Sequence, residues 1–238
     1  MEKRAMLYSG KAKMVYKTED ENIFMVEYRD DATALNGLKK GSFSGKGIIN
    51  NQMSNMIFKY LGEKGIPNHF IEEVSERETL VKKVSIIPLE VIVRNIAAGS
   101  FSTRYGVEEG AALKTIILEY SYKNDALGDP LINEYQALAI GLATQDDLDT
   151  IAALAFKINE ELKTMFLGIN LKLIDFKLEF GKTADGEIIL ADEISPDTCR
   201  LWQVGTDEKM DKDRFRRDLG GFKEAYEQVF ARLSVFLS

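Results

Sequence analysis

The segment IDFKLEFG, Ile174 to Gly181, alternates without a fault: Ile174, Phe176, Leu178 and Phe180 are apolar, whereas Asp175, Lys177 and Glu179 are charged. Successive side chains of a strand point to opposite faces, so this pattern demands a β-strand with one face on a core and an acid, a base and an acid on the other. Downstream, Asp185-Gly186 is a two-residue hairpin signal. With those residues as the loop, Ala184 faces Glu187 and Glu179 faces Asp192. Like charges placed opposite each other destabilise a hairpin unless a cation compensates them. Lys177, two residues along the same face, is one candidate. A divalent metal is the other, since Mg²⁺ commonly takes two carboxylates from a protein and completes its octahedron with phosphate oxygens and water. A solvated hairpin face would alternate in the same way. The continuation DEISPDTCR favours a site, because it crowds Asp192, Glu193, Asp197 and Arg200 beside the same strand end.

The rest of the chain reads as α+β. MLYSGKAKMVYKT and NIFMVEYRDD are strand-like, joined by a turn at Asp20–Asn22. Lys39 to Gly47 reads as a basic, Gly/Ser-rich loop. Ile48, Ile49, Gln52, Met53, Met56, Ile57, Tyr60 and Leu61 then follow helical spacing, with a stop at Gly62 or Gly65. HFIEEV and ETLVKKV are strands. SIIPLEVIVRN is apolar, but Pro88 cannot donate to a ladder and marks an edge strand or a strand start. A domain boundary falls there, giving a β-rich unit over 1–84 and an α+β unit over 85–238. AAGSFSTRYG leads into a helix, and YKNDALGDPLIN is turn-rich. Thr144 and Asp147 form a capping box for a long helix that stops at Gly168. The last segment, Asp211 to Ser238, is mostly helical with a break at Gly220-Gly221.

Composition limits the function. A net charge of −7 weighs against nucleic-acid and acidic-membrane surfaces but not against small phosphorylated molecules, which need only a few placed cations. Nothing approaches a run of about 18 apolar residues, so no membrane span is expected. The single cysteine, Cys199, forbids an intrachain disulfide, and with the single histidine, His69, it leaves no basis for a Cys/His zinc site. Cys199 reads as a loop residue, His69 as a surface residue and Trp202 as core. The chain is expected to be cytoplasmic.

Three further segments carry polar chemistry. In YSGKAKMVY, Gly10, Lys11 and Lys13 lie among β-type residues: glycine lets backbone approach a phosphate, and lysines neutralise one. A plain basic strand reads the same way, and both the P-loop pattern and G-x-G-x-x-G are absent. RNIAAGSFSTR sets Arg94, Gly99, Ser100 and Arg104 around a helix start, which suits a phosphate or simply a capped surface helix.

GKAKMVY, KGIINNQMSN, PLEVIVRNIAAGS, KNDALGDP, LIDFKLEFG, DEISPDTCRLW and MDKDRFRRDLGG, taken together and in order, resemble the SAICAR synthetase family. The resemblance runs from about Leu7 to Leu219. It implies a small antiparallel β domain packed on a larger α+β domain, with ATP in the cleft between them. The implied activity is an ATP-dependent ligation in purine biosynthesis. The carboxylate of carboxyaminoimidazole ribonucleotide (CAIR) is joined to the amine of L-aspartate through an acyl phosphate, giving SAICAR, ADP and phosphate. It further implies that Gly10, Lys11 and Lys13 cover the ATP phosphates, that Lys82 to Val84 meet adenine, and that Lys123 approaches the nucleotide. Glu179 and Asp192 would hold Mg²⁺; Arg94, Ser100 and Arg200 would hold the ribonucleotide; Asp175 and Lys177 would lie beside CAIR as the catalytic pair. A homodimer or larger homo-oligomer is implied as well. The alternatives are a kinase-type phosphotransferase, which lacks an HRD-like segment here, and a nucleotide-binding protein without turnover.

Overall fold

The computed structural model describes residues 1–34 and 39–237; Ser238, the end of the last expected helical segment, lies outside them. The first part of the chain contains β1 (Met6–Ser9), β2 (Lys13–Lys17), β3 (Ile23–Tyr28), β4 (Asp31–Ala34), β5 (Lys39–Ser42), α1 (Lys46–Glu63), β6 (Phe70–Ser75) and β7 (Glu78–Lys82). Five of these strands form an antiparallel sheet in the order β1-β2-β3-β7-β6, and β4 pairs with β5. The expected basic loop is therefore strand at its start and helix at its end. Its Lys46 is wholly buried in an ion pair with Asp197 at 2.6 Å.

The second part contains β8 (Ser85–Ile96), α2 (Gly99–Tyr105), β9 (Ala112–Tyr122), β10 (Leu131–Ile132), α3 (Glu134–Ala139) and α4 (Gln145–Gly168). After these come β11 (Leu171–Lys182), β12 (Ile188–Ala191), β13 (Cys199–Gln203), α5 (Asp213–Arg216) and α6 (Phe222–Phe236). Its sheet runs β10-β9-β8-β11-β12, with β13 paired to the first half of β11. The capping box at Thr144 and Asp147 is formed as expected. Leu148, Ile151, Ile158, Leu162 and Met165 of α4 pack into one core with Leu89, Val91 and Val93 of β8, Phe176, Leu178 and Phe180 of β11, and the apolar faces of α1 and α6. Burying a side chain of this size is worth about 1.5–3 kcal/mol, so this shared core dominates the stability of the fold.

Four expectations are corrected. Pro88 lies inside a central strand, not at an edge. It is tolerated because the pairing of β8 with β11 jumps from Glu90–Glu179 to Ile86–Gly181, leaving Pro88 in a bulge where its missing N–H costs no ladder bond. The β11–β12 connection spans Thr183–Glu187, closed by Thr183 N donating to Glu187 O at 2.9 Å, so Glu179 faces Ala191 rather than Asp192. Cys199 opens a strand and is buried. His69 is also buried, against Phe58, rather than on the surface.

A bulge between Leu173 and Asp175 in the pairing with β13 alters the alternation at the start of β11. Leu171 and Leu173 enter the main core, whereas Ile174 packs with Ala98 and Trp202 in a separate cluster.

Candidate active site

The two sheets face each other across a cleft of about 1010 Å³. Its floor is the polar face of the large sheet, built by register. Asp175 stands opposite Arg94, Lys177 opposite Ile92, and Glu179 opposite Glu90. The like-charge pair expected across the hairpin is not formed; Glu179 instead stands opposite a different carboxylate, Glu90 on β8. The β8 alternation Glu90-x-Ile92-x-Arg94 carries the same signal as β11, yet only the pairing of distant strands reveals that the two polar faces coincide.

Lys177 is the common partner of three carboxylates. Its Nζ lies 2.6 Å from Glu179, 3.2 Å from Glu90 and 3.6 Å from Asp192. Burial opposes the charge on Lys177, but Glu179, Asp192 and Glu90 outweigh it and raise its pKa well above the ordinary lysine value. The group is thus a fixed ammonium and not a base. Glu179 also accepts from Lys123 at 2.8 Å. Asp192 is reached differently from the hairpin expectation. The chain leaves β12 there with φ 63, in the left-handed region, and the carboxylate pairs with Lys13 from the opposing sheet. Burial works against ionised Asp192, yet Lys13 and Lys177 hold its carboxyl well below the usual range.

Asp175 and Arg200 do not line the cleft; they stand behind it. Asp175 is buried and accepts from Arg94 at 2.7 Å and from Arg200 at 2.9 and 3.0 Å. Its carboxylate is saturated by two guanidinium groups and serves to orient them. Arg94 reaches the cleft beside Ser100, to which it donates at 3.3 Å, and Glu119 holds both Arg94 and Arg104. Gly99, at φ 53, leaves room for Arg200: a Cβ there would fall inside the guanidinium.

The other expected residues, Gly10, Lys11, Lys13, Lys82, Val84 and Lys123, all line the cleft. Val15, Phe24, Val81 and Ile86 line it near Lys82 and Val84, an apolar slot of the kind that takes a planar base. Lys11 closes on Asp125 of the opposite rim at 2.8 Å. Sequence reading missed Glu90, His69, Lys212 and Arg216, which also line the cleft. Lys212 is the N-cap and Arg216 the last residue of α5, a four-residue helix too short to leave a periodic signal.

Among the described residues there is no cluster of three or more His, Cys, Asp and Glu side chains arranged to hold a metal. Glu179 and Asp192 are an oxygen-only pair, which suits Mg²⁺ when phosphates supply further oxygens. Beside them Glu193 lines the cleft with a buried Oε2 that has no hydrogen-bond partner. The donor set thus fits a hard divalent ion arriving with a polyphosphate and does not form a cage on its own.

Two sheets enclosing an apolar slot, a row of lysines and a carboxylate-lined floor define an α+β protein with a cleft for anionic small molecules. The comparisons resolve this further. The family model for SAICAR synthetase matches residues 6–233. A phosphoribosylaminoimidazole-succinocarboxamide synthase of Lachnoclostridium phytofermentans is 59% identical, covering 99% of this chain and 100% of the relative. The crystal structure of the enzyme of that name from Ehrlichia chaffeensis superposes with a TM-score of 0.94 at 43% identity, covering 97% of this chain and 98% of that one. A SAICAR synthetase in complex with ADP gives 0.93 at 45% identity, covering 96% and 97%. The chain belongs to the SAICAR synthetase family, and is therefore a ligase of purine biosynthesis.

Proposed function

We propose that the cleft activates the carboxylate of CAIR by phosphorylation and then joins it to the amine of L-aspartate. The observation that carries this reading is Lys177, a permanent ammonium fixed at the centre of the floor between the lysines of the small sheet and Arg94. A carboxylate is a poor acylating agent because its leaving group would be oxide. In the first step a CAIR carboxylate oxygen bonds to the γ-phosphorus while the bond to the β–γ bridging oxygen breaks, releasing ADP. In the second step the aspartate nitrogen bonds to the acyl carbon, phosphate departs, and the amine proton passes to solvent.

Lys177 neutralises the approaching carboxylate, which is otherwise repelled by the polyphosphate. Lys13 and Lys11 neutralise the phosphates from the small sheet, and Lys123 supports them from the large one. Val84 and Lys82 border the slot for adenine; the ADP complex of the relative at 45% identity supports a nucleotide in this cleft. Glu179 and Asp192 would hold Mg²⁺, which supplies charge neutralisation at the phosphates. Arg94 and Ser100 hold the ribonucleotide, and Arg200 acts with Asp175 to fix Arg94, so that the contribution of Asp175 is orientation. On this reading residues 1–84 cover the nucleotide and 85–238 carry the chemistry, in a cytoplasmic homo-oligomer.

The test is ADP release with CAIR, ATP and Mg²⁺, with and without L-aspartate. Release that requires aspartate and matches a succinocarboxamide product supports the ligation. Release with any hydroxyl acceptor in place of aspartate would favour the phosphotransferase reading instead.

A further inference from the structure

Between the two sheets runs the short segment Pro67–His69. Leu190 N donates to Pro67 O at 3.0 Å, and His69 N donates to Leu190 O at 2.9 Å. On its other side His69 O accepts from Lys82 N at 2.7 Å. Asn68 makes a parallel bridge with Leu190. This segment therefore ties the inner end of β12 to the end of β7, the strand that borders the apolar slot.

Two residues beyond Leu190 stands Asp192, a residue with a Cβ held at φ 63. That conformation is unfavourable for such a residue and persists where its surroundings fix it. The side chain of His69 is placed to do so. Its ring packs against Phe58, tilted by 56° with centroids 5.0 Å apart. His69 and Asp192 both line the cleft, beside the turn where the chain leaves β12. Both residues border the same small void beneath β3 and β7.

We propose that His69 is a positioning residue: its ring holds the Asp192 main chain in the left-handed conformation and so sets the Asp192 carboxylate between Lys13 and Lys177. The consequence for catalysis rests on the proposed function, in which Asp192 serves the phosphate end of the cleft. The geometric claim does not.

The experiment is a double-mutant cycle on ADP affinity, measured by calorimetry with Mg²⁺, together with a crystal structure of the ring-conserving variant. His69→Phe keeps the packing on Phe58 and removes the nitrogens; His69→Leu is the smaller apolar variant, should the first not fold. His69→Asn and His69→Gln each restore an amide donor, at the positions of Nδ1 and Nε2 respectively. Loss of one hydrogen bond to a charged site should weaken ADP about 10-fold in His69→Phe. One of the two amide variants should return to within about threefold of wild type. In the Asp192→Asn background the same His69→Phe change should cost less than about twofold, because coupled residues are not additive. In the crystal structure Asp192 should leave the positive-φ region. Equal losses in both backgrounds would overturn the proposal, as would unchanged affinity in His69→Phe or retention of Asp192 near φ 63 without the ring nitrogen. Wild-type protein that binds no ADP would sink the nucleotide reading, and the φ of Asp192 would then decide the positioning claim alone.

Discussion

Lys177 shows how a single residue can hold a site together before any substrate arrives. Three carboxylates converge on it, and their field keeps it charged across the physiological range. Lys177→Met should lower kcat by at least about 100-fold, the usual loss when one preorganised electrostatic group is removed, while the KM for ATP changes far less. Steady-state kinetics check this, and near wild-type turnover would remove Lys177 from the chemistry. Gly99 makes a different prediction. Its left-handed φ and the guanidinium of Arg200 beneath it leave no space for a methyl group. Gly99→Ala should displace Arg200 and raise the KM for CAIR about 10-fold or more, by loss of a charge-assisted contact, with the KM for ATP unchanged. Lys177 and Glu179 were legible in the sequence because strand alternation marks them locally, and Arg94 because it precedes a Gly/Ser helix start. Glu90 was not, although its own strand alternates as cleanly, because its meaning comes from standing opposite Glu179.

Among the elements, α1 is the one whose sequence hides most. Its apolar spacing predicts the face that enters the main core. The opposite face is buried too: the Thr79 hydroxyl of β7 lies 2.7 Å from Asn51 Oδ1 and 2.9 Å from Asn55 Oδ1, sharing its one proton between them. This helix has no side-chain cap of its own, since Gly45 stands at the N-cap. Asp30 supplies the cap from a distant turn, accepting from Gly47 N at 2.9 Å and Gly45 N at 3.2 Å. Arg77, hydrogen-bonded to both oxygens, and these amides hold the Asp30 carboxyl down at about 2.

A depressed carboxylate stabilises the fold above its unfolded value of about 3.9, and that contribution is lost as pH falls through the folded value. Asp30→Asn should therefore cost about 1–2 kcal/mol near pH 7, or several degrees of melting temperature for a chain of this size. The gap to wild type should narrow between about pH 4 and pH 2. Thermal melts across that range check it, and a constant gap would contradict the assignment. The hairpin register slipped by one residue in the sequence reading for a related reason. Asp185-Gly186 is a strong turn signal, but the turn closes through Thr183 and Glu187, and only the packed sheet selects that longer loop.

At the scale of the molecule, an acidic protein carries a cleft lined by Lys11, Lys13, Lys82, Lys123, Lys177 and Lys212. The same lining carries Glu90, Glu179, Asp192, Glu193 and Asp197, so on the proposed function capture of anions falls to the lysines at the rim, which added salt screens with a Debye length of about 10 Å at 0.1 M. The kcat/KM for CAIR should fall as ionic strength rises while kcat holds steady; a salt-independent kcat/KM would show that the outer lysines take no part in capture. Lys82 ends the small sheet and Ser85 opens the large one. The coupling of the two through α1 and the His69 segment was not legible in the sequence, because each of its bonds joins residues far apart in the chain.

The most direct test of the account follows the oxygen atoms. CAIR carrying ¹⁸O in its carboxylate is turned over with unlabelled ATP and L-aspartate, and the released phosphate is analysed by mass. Activation as an acyl phosphate predicts one ¹⁸O atom in each phosphate molecule formed from doubly labelled carboxylate. Phosphate free of label, formed alongside SAICAR, would mean that the carboxylate never bonds to phosphorus, and the role assigned to Lys177 would fall with it.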